Sequence, residues 1–287
     1  MRASIIVVEF NTGAFLERCL SSLERLEMPR EDFEVIVVDN ASPTPVDAIE
    51  ARMARVRFLR SETNLGFAGA CAMALGHCRG DIVLTLNPDA EAEPTWLHGM
   101  LSPFADPRIG VVGCKVYYPG TRILQHAGGL LLPNGRTEHR GRGEEDVGQY
   151  DELEDVAYVT GASIAVRREV IDRVGFFSPV YFPAYFEETE LCVRARAAGY
   201  RVVYTPEAAI YHREAAASGG SATTAFLRMY HASRVRFVLR NYTARELVGR
   251  VVPSEIAFQL EPGRSSMERF LCLRAYVLGA LTAQSRS

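Results

Sequence analysis

The residues best placed to do chemistry are Asn87 and Asp89, which flank Pro88 directly after the apolar run Ile82–Leu86. The run is short enough to be a buried strand, and because proline cannot continue a central strand, the chain must turn there. A carboxylate at the carboxyl end of a parallel strand lies where open α/β sheets bind ligands. Burying that charge costs free energy unless a partner offsets it, and a divalent cation bridging phosphates would do so. The alternative is a simple turn in which Asp89 hydrogen-bonds its own backbone.

Strands and helices alternate through the first half of the chain, so polar residues recur at one edge of a sheet. The pattern predicts strands at 4–8, 34–38, 56–59 and 81–86, and helices at 15–26 and 66–78. This alternation indicates the α/β class, with a mostly parallel, right-handed wound sheet. Each strand is followed by polar or turn residues: Glu9 and Asn11, Asp39 and Asn40, Asn64 and Gly66, Asn87 and Asp89. Four clusters that converge on one edge indicate a site.

The motifs that the chain lacks and the carboxylates that it has narrow the class of ligand. The first strand is not followed by Gly-x-Gly-x-x-Gly, and the P-loop pattern is absent too. Asp39 suits the base edge or ribose hydroxyls of a nucleoside, and Asp89 suits a cation. A nucleoside diphosphate that carries a sugar has both parts.

Seven segments carry a resemblance to a known family: SIIVVEFN, VIVVDNASPT, NLGFAGA, LTLNPDAE, YVTGASIAVRREVIDRVGFF, YFEETELCVRARAAGY and IYHREAAASGGS. In this order and spacing, from about residue 3 to about residue 242, they resemble the family 2 inverting glycosyltransferases of the GT-A fold. The resemblance extends in particular to bacterial rhamnosyltransferase-like members that build cell-surface polysaccharides.

The resemblance implies a mechanism in which an acceptor hydroxyl attacks the anomeric carbon opposite the departing diphosphate. A carboxylate removes the hydroxyl proton, and Mg²⁺ or Mn²⁺ stabilises the diphosphate. Nucleoside binding would fall to Asp39, and metal binding to Asp89 and His212. Asn87 stands where many relatives carry a carboxylate and would orient the sugar or diphosphate, since an amide is a weaker ligand for a hard cation. The resemblance adds four donor-site residues: Asn11, Asn40, Asn64 and Gly66.

The acidic segment Glu187-Glu188-Thr189-Glu190 stands where relatives usually have Glu-Asp-x-Asp. The resemblance makes Glu188 the catalytic base and Glu187 a second catalytic residue that positions substrate. Glu190 and Arg194 are spaced to form an i,i+4 pair that braces the base. The alternative is that these acids only favour a helix start, because negative charge in a first turn meets the helix dipole.

His212 is expected after a strand at 201–204 and a turn at Pro206. A mobile loop at 218–221 is expected to follow and to close over the donor. The alternative is an ordinary histidine, because that side chain has many unremarkable hydrogen-bonding roles.

Composition sets further bounds on the protein. The 287 residues carry a net charge of −3, so nothing indicates a nucleic-acid partner. Six cysteines without Cys-x-x-Cys spacing predict reduced core residues and a cytoplasmic location. Glu9 ends the first apolar run too early for a signal peptide, and no segment reaches the ~18 apolar residues of a membrane span.

We expect a GT-A domain at 1–222, with a donor-binding half at 1–115 and an acceptor half at 116–222, and a helical extension at 223–287. A hairpin and a polar loop between 120 and 155 would hold acceptor specificity. Four arginines accompany the first helix of the extension: Arg228, Arg234, Arg236 and Arg240. They form a solvated basic face or, alternatively, contact an anionic membrane surface or a lipid-diphosphate acceptor. A short apolar helix at 270–281 would pack on the domain or lie on the membrane.

The sequence therefore predicts an inverting glycosyltransferase that moves a sugar, UDP- or dTDP-linked and with rhamnose as one candidate, to a saccharide or lipid-linked acceptor. It would work in the cytoplasm, with the inner face of the membrane as a second place of contact. Two alternatives remain, a nucleotide-sugar-binding protein without catalysis and a sugar nucleotidyltransferase. The first follows from glutamates at 188 and 190, and the second from a shared α/β sheet with carboxylate-bound Mg²⁺.

Overall fold

The computed structural model describes residues 2–44, 46–213 and 223–284, with side chains described as far as residue 279. The strands are β1 Ala3–Glu9, β2 Phe33–Asp39, β3 Val56–Arg60, β4 Ile82–Leu86, β5 Ala90–Ala92, β6 Ile109–Tyr117, β7 Leu124–His126, β8 Gly129–Leu131, β9 Thr137–His139, β10 Glu154–Asp155, β11 Ser163–Arg167 and β12 Arg201–His212. The α-helices are α1 Ala14–Glu24, α2 Asp47–Glu50, α3 Gly66–Leu75, α4 Trp96–Leu101, α5 Arg168–Val174, α6 Glu187–Ala197, α7 Thr224–Asn241, α8 Ala244–Glu246, α9 Val252–Leu260 and α10 Ser266–Gln284. A π-helical turn, Leu247–Val251, joins α8 to α9.

One mixed sheet organises the chain, in the order β10-β12-β6-β11-β4-β1-β2-β3. The four strands β3, β2, β1 and β4 are mutually parallel, which confirms the predicted wound sheet. β11 runs antiparallel to both β4 and β6, and β12 is parallel to β6. The carboxyl ends of β1, β2 and β4 consequently share one edge, as the alternation predicted.

Helices cover both faces of β1, β2 and β4, which is why these three strands are nearly continuous apolar runs, whereas the edge strand β3 carries two arginines. On one face α1 buries Leu16, Leu20 and Leu23. On the other face α3 buries a row of small residues: Ala68, Ala70, Cys71 and Ala74. Small side chains bring the amino end of α3 close to the sheet edge, where Gly66 and Asn64 lie.

β12 does not turn at Pro206, so the prediction of a turn there is wrong. The strand continues to His212, but its register with β6 shifts between Thr205 and Ala209. Thr205 lies opposite Cys114 and Ala209 opposite Lys115, so three residues of β12 have no partner on β6. A bulge of this kind absorbs a proline that has no N–H to donate. It also carries His212 to the site edge of the sheet, where it lies opposite Ala90 of β5.

The C-terminal helices pack against one another, with α7 lying along α10. The predicted solvated basic face of α7 is wrong at Arg234, which is completely buried. The Arg234 guanidinium donates to Glu255 of α9 at 2.8 Å and to the carbonyl of Asn134 at 3.0 Å, in the turn of the β8–β9 hairpin. The hairpin itself is confirmed. A buried charge needs such a partner, and this one ties α7, α9 and the hairpin together.

The apolar C-terminal helix is longer than predicted, because α10 spans nineteen residues rather than a short stretch. None of the helices within the described ranges is long and apolar enough to cross a membrane. The expected loop at 218–221, and with it the boundary drawn at 222, lies outside the described residues. That division of the chain stays a prediction.

Candidate active site

Asp39 and Asn40 end β2 with their side chains buried at the sheet edge. The backbone N–H of Ser42 donates to Asp39 Oδ1 at 2.9 Å, which commits one carboxylate oxygen to the turn. Asn40 Oδ1 accepts from the N–H of Leu65 at 2.8 Å, and its Nδ2 donates to Asn64 at 3.2 Å. The loops after β2 and β3 are therefore locked together beside Asp39, whose second oxygen can serve a ligand.

Asn11 and Gly66 adopt left-handed backbone at the same edge, with φ of 58° and 70°. The N–H of Asn11 donates to Ser42 Oγ at 3.1 Å, so the β1 loop contacts the β2 loop. Asn64 Oδ1 accepts from the N–H of Gly66 at 2.8 Å. These contacts give Asn11, Asn64 and Gly66 turn-building roles, and donor contact by them stays a prediction.

Gly66 also has a packing reason to be glycine. A Cβ at this position would lie 2.8 Å from Cδ2 of Phe182 and 2.9 Å from the carbonyl oxygen of Pro183. The N–H of Phe67 donates to that same carbonyl at 3.0 Å. The start of α3 thus touches the segment that leads into Glu187 and Glu188.

Asn87, Asp89 and His212 form a second group, after β4 and at the end of β12. His212 Nε2 lies 3.3 Å from Asp89 Oδ1 and 3.2 Å from Asn87 Nδ2. Gln125 Nε2 donates to the His212 carbonyl, which turns Gln125 Oε1 toward His212 Nδ1 at 3.0 Å. Because Oε1 can only accept, the proton of the neutral ring sits on Nδ1, and Nε2 presents a lone pair.

This pair fits a divalent cation. Two electron-rich atoms 3.3 Å apart repel each other unless a proton or a cation lies between them. Two ligands of one cation at about 2.1 Å each lie about 3 Å apart at a right angle. Within the ranges that the structure describes, no cluster of three or more His, Cys, Asp or Glu side chains could hold a metal. Asp89 and His212 would therefore need ligand oxygens, such as those of a diphosphate, to complete a coordination shell.

Glu187 and Glu188 open α6, as the alternative of a helix start also required. Glu187 is 1% exposed, and its Oε1 has no hydrogen-bond partner among the described atoms. Burial, followed by the charge of Glu188, raises the pKa of Glu187 well above its usual range. Burial raises the pKa of Glu188 to about 7 against the favourable pull of the helix-start N–H groups. Perturbed carboxyls of this kind are typical of catalytic sites.

The segment before β11 joins the two groups. Thr85 Oγ1 donates to the carbonyl of Gly161 at 3.2 Å, and the N–H of Asn87 donates to the carbonyl of Ala162 at 2.9 Å. A Cβ on Gly161 would lie 3.7 Å from Cδ of Glu188. Gly161 therefore separates the Asn87–Asp89 turn from the Glu188 carboxyl and leaves that carboxyl uncovered on its side.

Glu190 points away from this cleft and is 3% exposed. Its predicted pair with Arg194 is confirmed at 3.8 Å, and Tyr181 donates to Glu190 Oε1 at 2.9 Å. The Arg194 guanidinium also donates to the carbonyl of Phe176 at 2.6 Å. The first turn of α6 is consequently fixed on its inner side.

Sequence reasoning assigned no role to three supporting residues, one of which, Glu9, it had noted only as a polar residue after the first strand. Glu9, completely buried, accepts from the N–H of Thr12 at 2.6 Å and shapes the turn after β1. Gln125 sets the tautomer of His212, and Gly161 adjoins Glu188. Glu9 could have been found as a charge at the end of an apolar strand. Gln125 and Gly161 carry no spacing signal, because their partners lie 87 and 27 residues away in the chain.

Comparison with known proteins agrees with this architecture. The family model described as Glycosyl transferase family 2 matches residues 4–175, more than half of the chain. The chain is 30% identical over 242 residues to the N-acetylglucosaminyl-diphospho-decaprenol L-rhamnosyltransferase of Mycobacterium tuberculosis, covering 75% of this chain and 77% of that protein. It is 30% identical over 227 residues to the O-antigen biosynthesis protein RfbC of Myxococcus xanthus, covering 74% of this chain and 17% of that protein.

A crystal structure of GalNAc-T7 with UDP, GalNAc and Mn²⁺ superposes with a TM-score of 0.70 at 16% identity, covering 96% of this chain and 54% of that one. This likeness shows the GT-A fold. The chain spans only 17% of the length of RfbC and 22% of the length of a further matched relative. With a family match over most of the α/β half and a rhamnosyltransferase aligned over three quarters of its residues, the chain belongs to glycosyl transferase family 2.

Proposed function

We propose that the protein transfers a sugar, with inversion, from a nucleoside-diphosphate sugar to a hydroxyl of a saccharide or lipid-linked acceptor in cell-surface polysaccharide synthesis. The observation that carries the proposal is the convergence of three groups at one sheet edge. Asp39 lies in the turn after β2, Asp89 and His212 form a cation-compatible pair, and Glu188 is a base with a pKa near neutrality.

Each group has a distinct task in this proposal. The free oxygen of Asp39 accepts a hydrogen bond from the nucleoside. Asp89 and His212 would hold Mg²⁺ or Mn²⁺, which would supply positive charge for the departing diphosphate. Asn87, whose Nδ2 contacts His212, orients the diphosphate or sugar. The acceptor oxygen forms its bond to the anomeric carbon as the bond from that carbon to the diphosphate breaks.

Glu188 accepts the proton of the attacking hydroxyl in that step. With a pKa of about 7, the Glu188 carboxyl is ionised in roughly half of the protein molecules at neutral pH, and the carboxylate is basic enough to assist removal of the proton. Burial, followed by the charge of Glu188, raises the pKa of Glu187 well above its usual range, and in its protonated form Glu187 donates a hydrogen bond to a sugar hydroxyl.

The donor and acceptor are proposals that rest on relatives. One relative is named a rhamnosyltransferase acting on a diphospho-decaprenol substrate, and one solved structure holds UDP. We therefore propose a UDP- or dTDP-linked donor, with dTDP-rhamnose as the first to test. The family assignment argues against the nucleotidyltransferase alternative.

The experiment is a panel of nucleotide sugars, screened by thermal shift with Mg²⁺ or Mn²⁺ and then tested for transfer to a lipid-diphosphate saccharide. We expect one donor to raise the melting temperature and to give a product with inverted anomeric configuration by NMR. Donor binding without transfer would favour the non-catalytic alternative. Pyrophosphate release from a nucleoside triphosphate and a sugar phosphate would favour a nucleotidyltransferase.

We also propose that α9 and α10 lie against an anionic membrane surface when a lipid-linked acceptor is used. Residues 223–287 contain ten arginines and four glutamates, a net +6, whereas the whole chain carries −3. Four apolar side chains at i,i+4 spacing are exposed on the outer face of this region: Val248, Val252, Ile256 and Leu260. Apolar burial together with positive charge supports contact with anionic lipid.

Co-sedimentation with vesicles tests this contact. The wild type is expected to sediment with vesicles of phosphatidylglycerol and phosphatidylcholine but not with phosphatidylcholine alone. The double variant Ile256→Ser and Leu260→Ser should lose binding, while Leu130→Ser, an exposed leucine on β8, should keep it. Absence of wild-type binding to both vesicles, or a concentration-dependent dimer that the double variant abolishes, would refute the membrane contact.

A further inference from the structure

The segment from Tyr181 to Glu190, here called the base loop, has an unfavourable backbone directly before the two catalytic glutamates. Tyr185 and Phe186 both have left-handed backbone, with φ of 80° and 77°. Bulky residues seldom adopt this conformation unless their surroundings hold them in it. The direction in which Glu187 and Glu188 enter α6 therefore depends on what the base loop packs against.

Helix α7 packs against the bend in the base loop. Ser233 Oγ donates to the carbonyl of Ala184 at 3.2 Å. The ring of Phe186 lies 5.4 Å from the ring of Tyr230 and 5.4 Å from that of Phe237. Phe186 is 2% exposed, so these rings surround the strained residue.

The same helix also holds the far end of the base loop. Arg240 Nε donates to Glu190 Oε1 at 3.2 Å, and Asn241 Nδ2 donates to the same oxygen at 3.4 Å. Tyr181, the first residue of the loop, donates to that oxygen as well. Glu190 is thus a junction that joins both ends of the base loop to the last turn of α7.

The acceptor-side hairpin is attached to α7 too. Tyr230 Oη lies 3.0 Å from the N–H of Thr137 in β9 and accepts from it. A Cβ on Gly135, in the turn of the hairpin, would lie 2.5 Å from Val238 Cγ2. One helix beyond the α/β sheet therefore supports both the base and the hairpin that we expect to hold acceptor specificity.

We propose that α7 is part of the catalytic unit and that Arg240 is a positioning residue for the base Glu188, acting through Glu190. This inference rests on the proposed function, because it takes Glu188 as the base. Arg240 fixes Glu190 two residues beyond the base, and a shift of that turn would move the Glu188 carboxyl away from the acceptor hydroxyl. Displacement by about 1 Å of a group in a catalytic site can cost about 100-fold in rate.

Arg240 is a good probe because its removal should leave the fold intact. Its side chain is 46% exposed, whereas that of Glu190 is 4% exposed and keeps Tyr181 and Arg194 as partners. Half-exposed ion pairs contribute little to global stability. Arg228 on the same helix is exposed and allows the same change of charge away from the base loop.

The experiment compares Arg240→Gln and Arg240→Lys with the control Arg228→Gln. Single-turnover transfer, donor affinity and melting temperature are measured, together with hydrogen exchange of the amides at 184–190. Arg240→Gln should lower the transfer rate about 10- to 100-fold and raise exchange in the base loop. Donor affinity and melting temperature should match those of the control, and Arg240→Lys should restore part of the rate.

Several results would overturn the inference. A transfer rate for Arg240→Gln equal to that of Arg228→Gln would do so, and so would faster exchange with an unchanged rate, since Arg240 would then only stabilise the loop. If Arg240→Gln does not fold, Ser233→Ala takes its place, with the same expectations. If the wild type transfers no sugar while exchange at 184–190 still responds to Arg240, the proposed function fails and the attachment to α7 stands. Unchanged exchange refutes the attachment itself.

Discussion

Replacing Glu188 by glutamine should stop sugar transfer while leaving donor binding in place. Glutamine keeps the size of the side chain and its hydrogen bonding but cannot accept a proton. A positioned general base contributes roughly 10²–10⁴-fold in rate, so the variant should lose about 3–5 kcal/mol of transition-state stabilisation. Donor affinity should stay near wild type, because Asp39 ends β2 and Asp89 follows β4, whereas Glu188 opens α6.

The raised pKa gives this prediction a pH dependence. Burial moves the pKa of Glu188 to about 7, so the ionised base forms only as the pH rises through that value. The wild-type rate should therefore increase between about pH 6 and pH 8 and then level off. The residual rate of Glu188→Gln should lack this limb of the profile, which single-turnover transfer measured across the range would show.

Two matched variants separate Glu188 from its neighbours. Glu188→Asp retains a carboxylate but shortens its reach by one methylene, so the rate should fall only in part. Glu187→Gln should reduce the rate less than Glu188→Gln, because a protonated carboxyl and an amide can both donate a hydrogen bond. If Glu188→Gln kept most of its turnover while Glu187→Gln lost it, the base would have to be reassigned to Glu187.

Three further substitutions test the rest of the site. Asp89→Ala should weaken binding of a nucleoside diphosphate and remove most of its dependence on divalent cation, which calorimetry with and without EDTA checks; unchanged affinity and metal response would exclude Asp89 as the ligand. Glu187→Gln should raise stability by about 0.5–2 kcal/mol at pH 8 and hardly at pH 4. Because the pKa of Glu187 is raised in the folded state, the stability that its protonated carboxyl contributes is complete below the pKa of the unfolded state and is lost as the pH rises through the pKa of the folded state. Melting curves that show the same effect of the substitution at both pH values would contradict the reasoning. Gly66→Ala should cost about 1–3 kcal/mol more in urea unfolding than Gly120→Ala, which has the same φ of 70° but open space around its Cβ, and equal costs would show that the contact with Phe182 is unimportant.

The first four strands of the sheet were predictable because their information is local. Three of them, β1, β2 and β4, are apolar runs that end in polar residues, and parallel winding alone brings Asp39 and Asp89 to one edge. The acidic segment was predictable as a helix start, and Glu190–Arg194 follows from helical spacing. The roles of Asn11, Asn64 and Gly66 as donor ligands stay predictions, since the contacts of these residues are those of turns.

The features that the sequence did not predict depend on contacts between residues that are far apart in the chain. In the sequence Arg234 is one of four arginines that predict an exposed face, and its burial against Glu255 of α9 is evident only in the folded structure. Gln125 has no spacing relation to His212, and Arg240 none to Glu190, because both pairs form only when the sheet and the C-terminal helices are assembled. Pro206 indicates a turn by its chemistry, yet a bulge at that point satisfies the same restriction within a strand.

The bulge in β12 sets the pairing register of the residues that follow it in the strand. Paired residues of neighbouring strands share a face of the sheet, so the register in which β12 resumes pairing at Ala209 decides which face His212 presents. A deletion in the bulge that shifted the later pairing by one residue would turn the imidazole to the opposite face, away from Asp89, whereas a shift by two residues would restore the original face. A relative with a shorter bulge could therefore lose a metal ligand, although every residue of the site would still be present in its sequence.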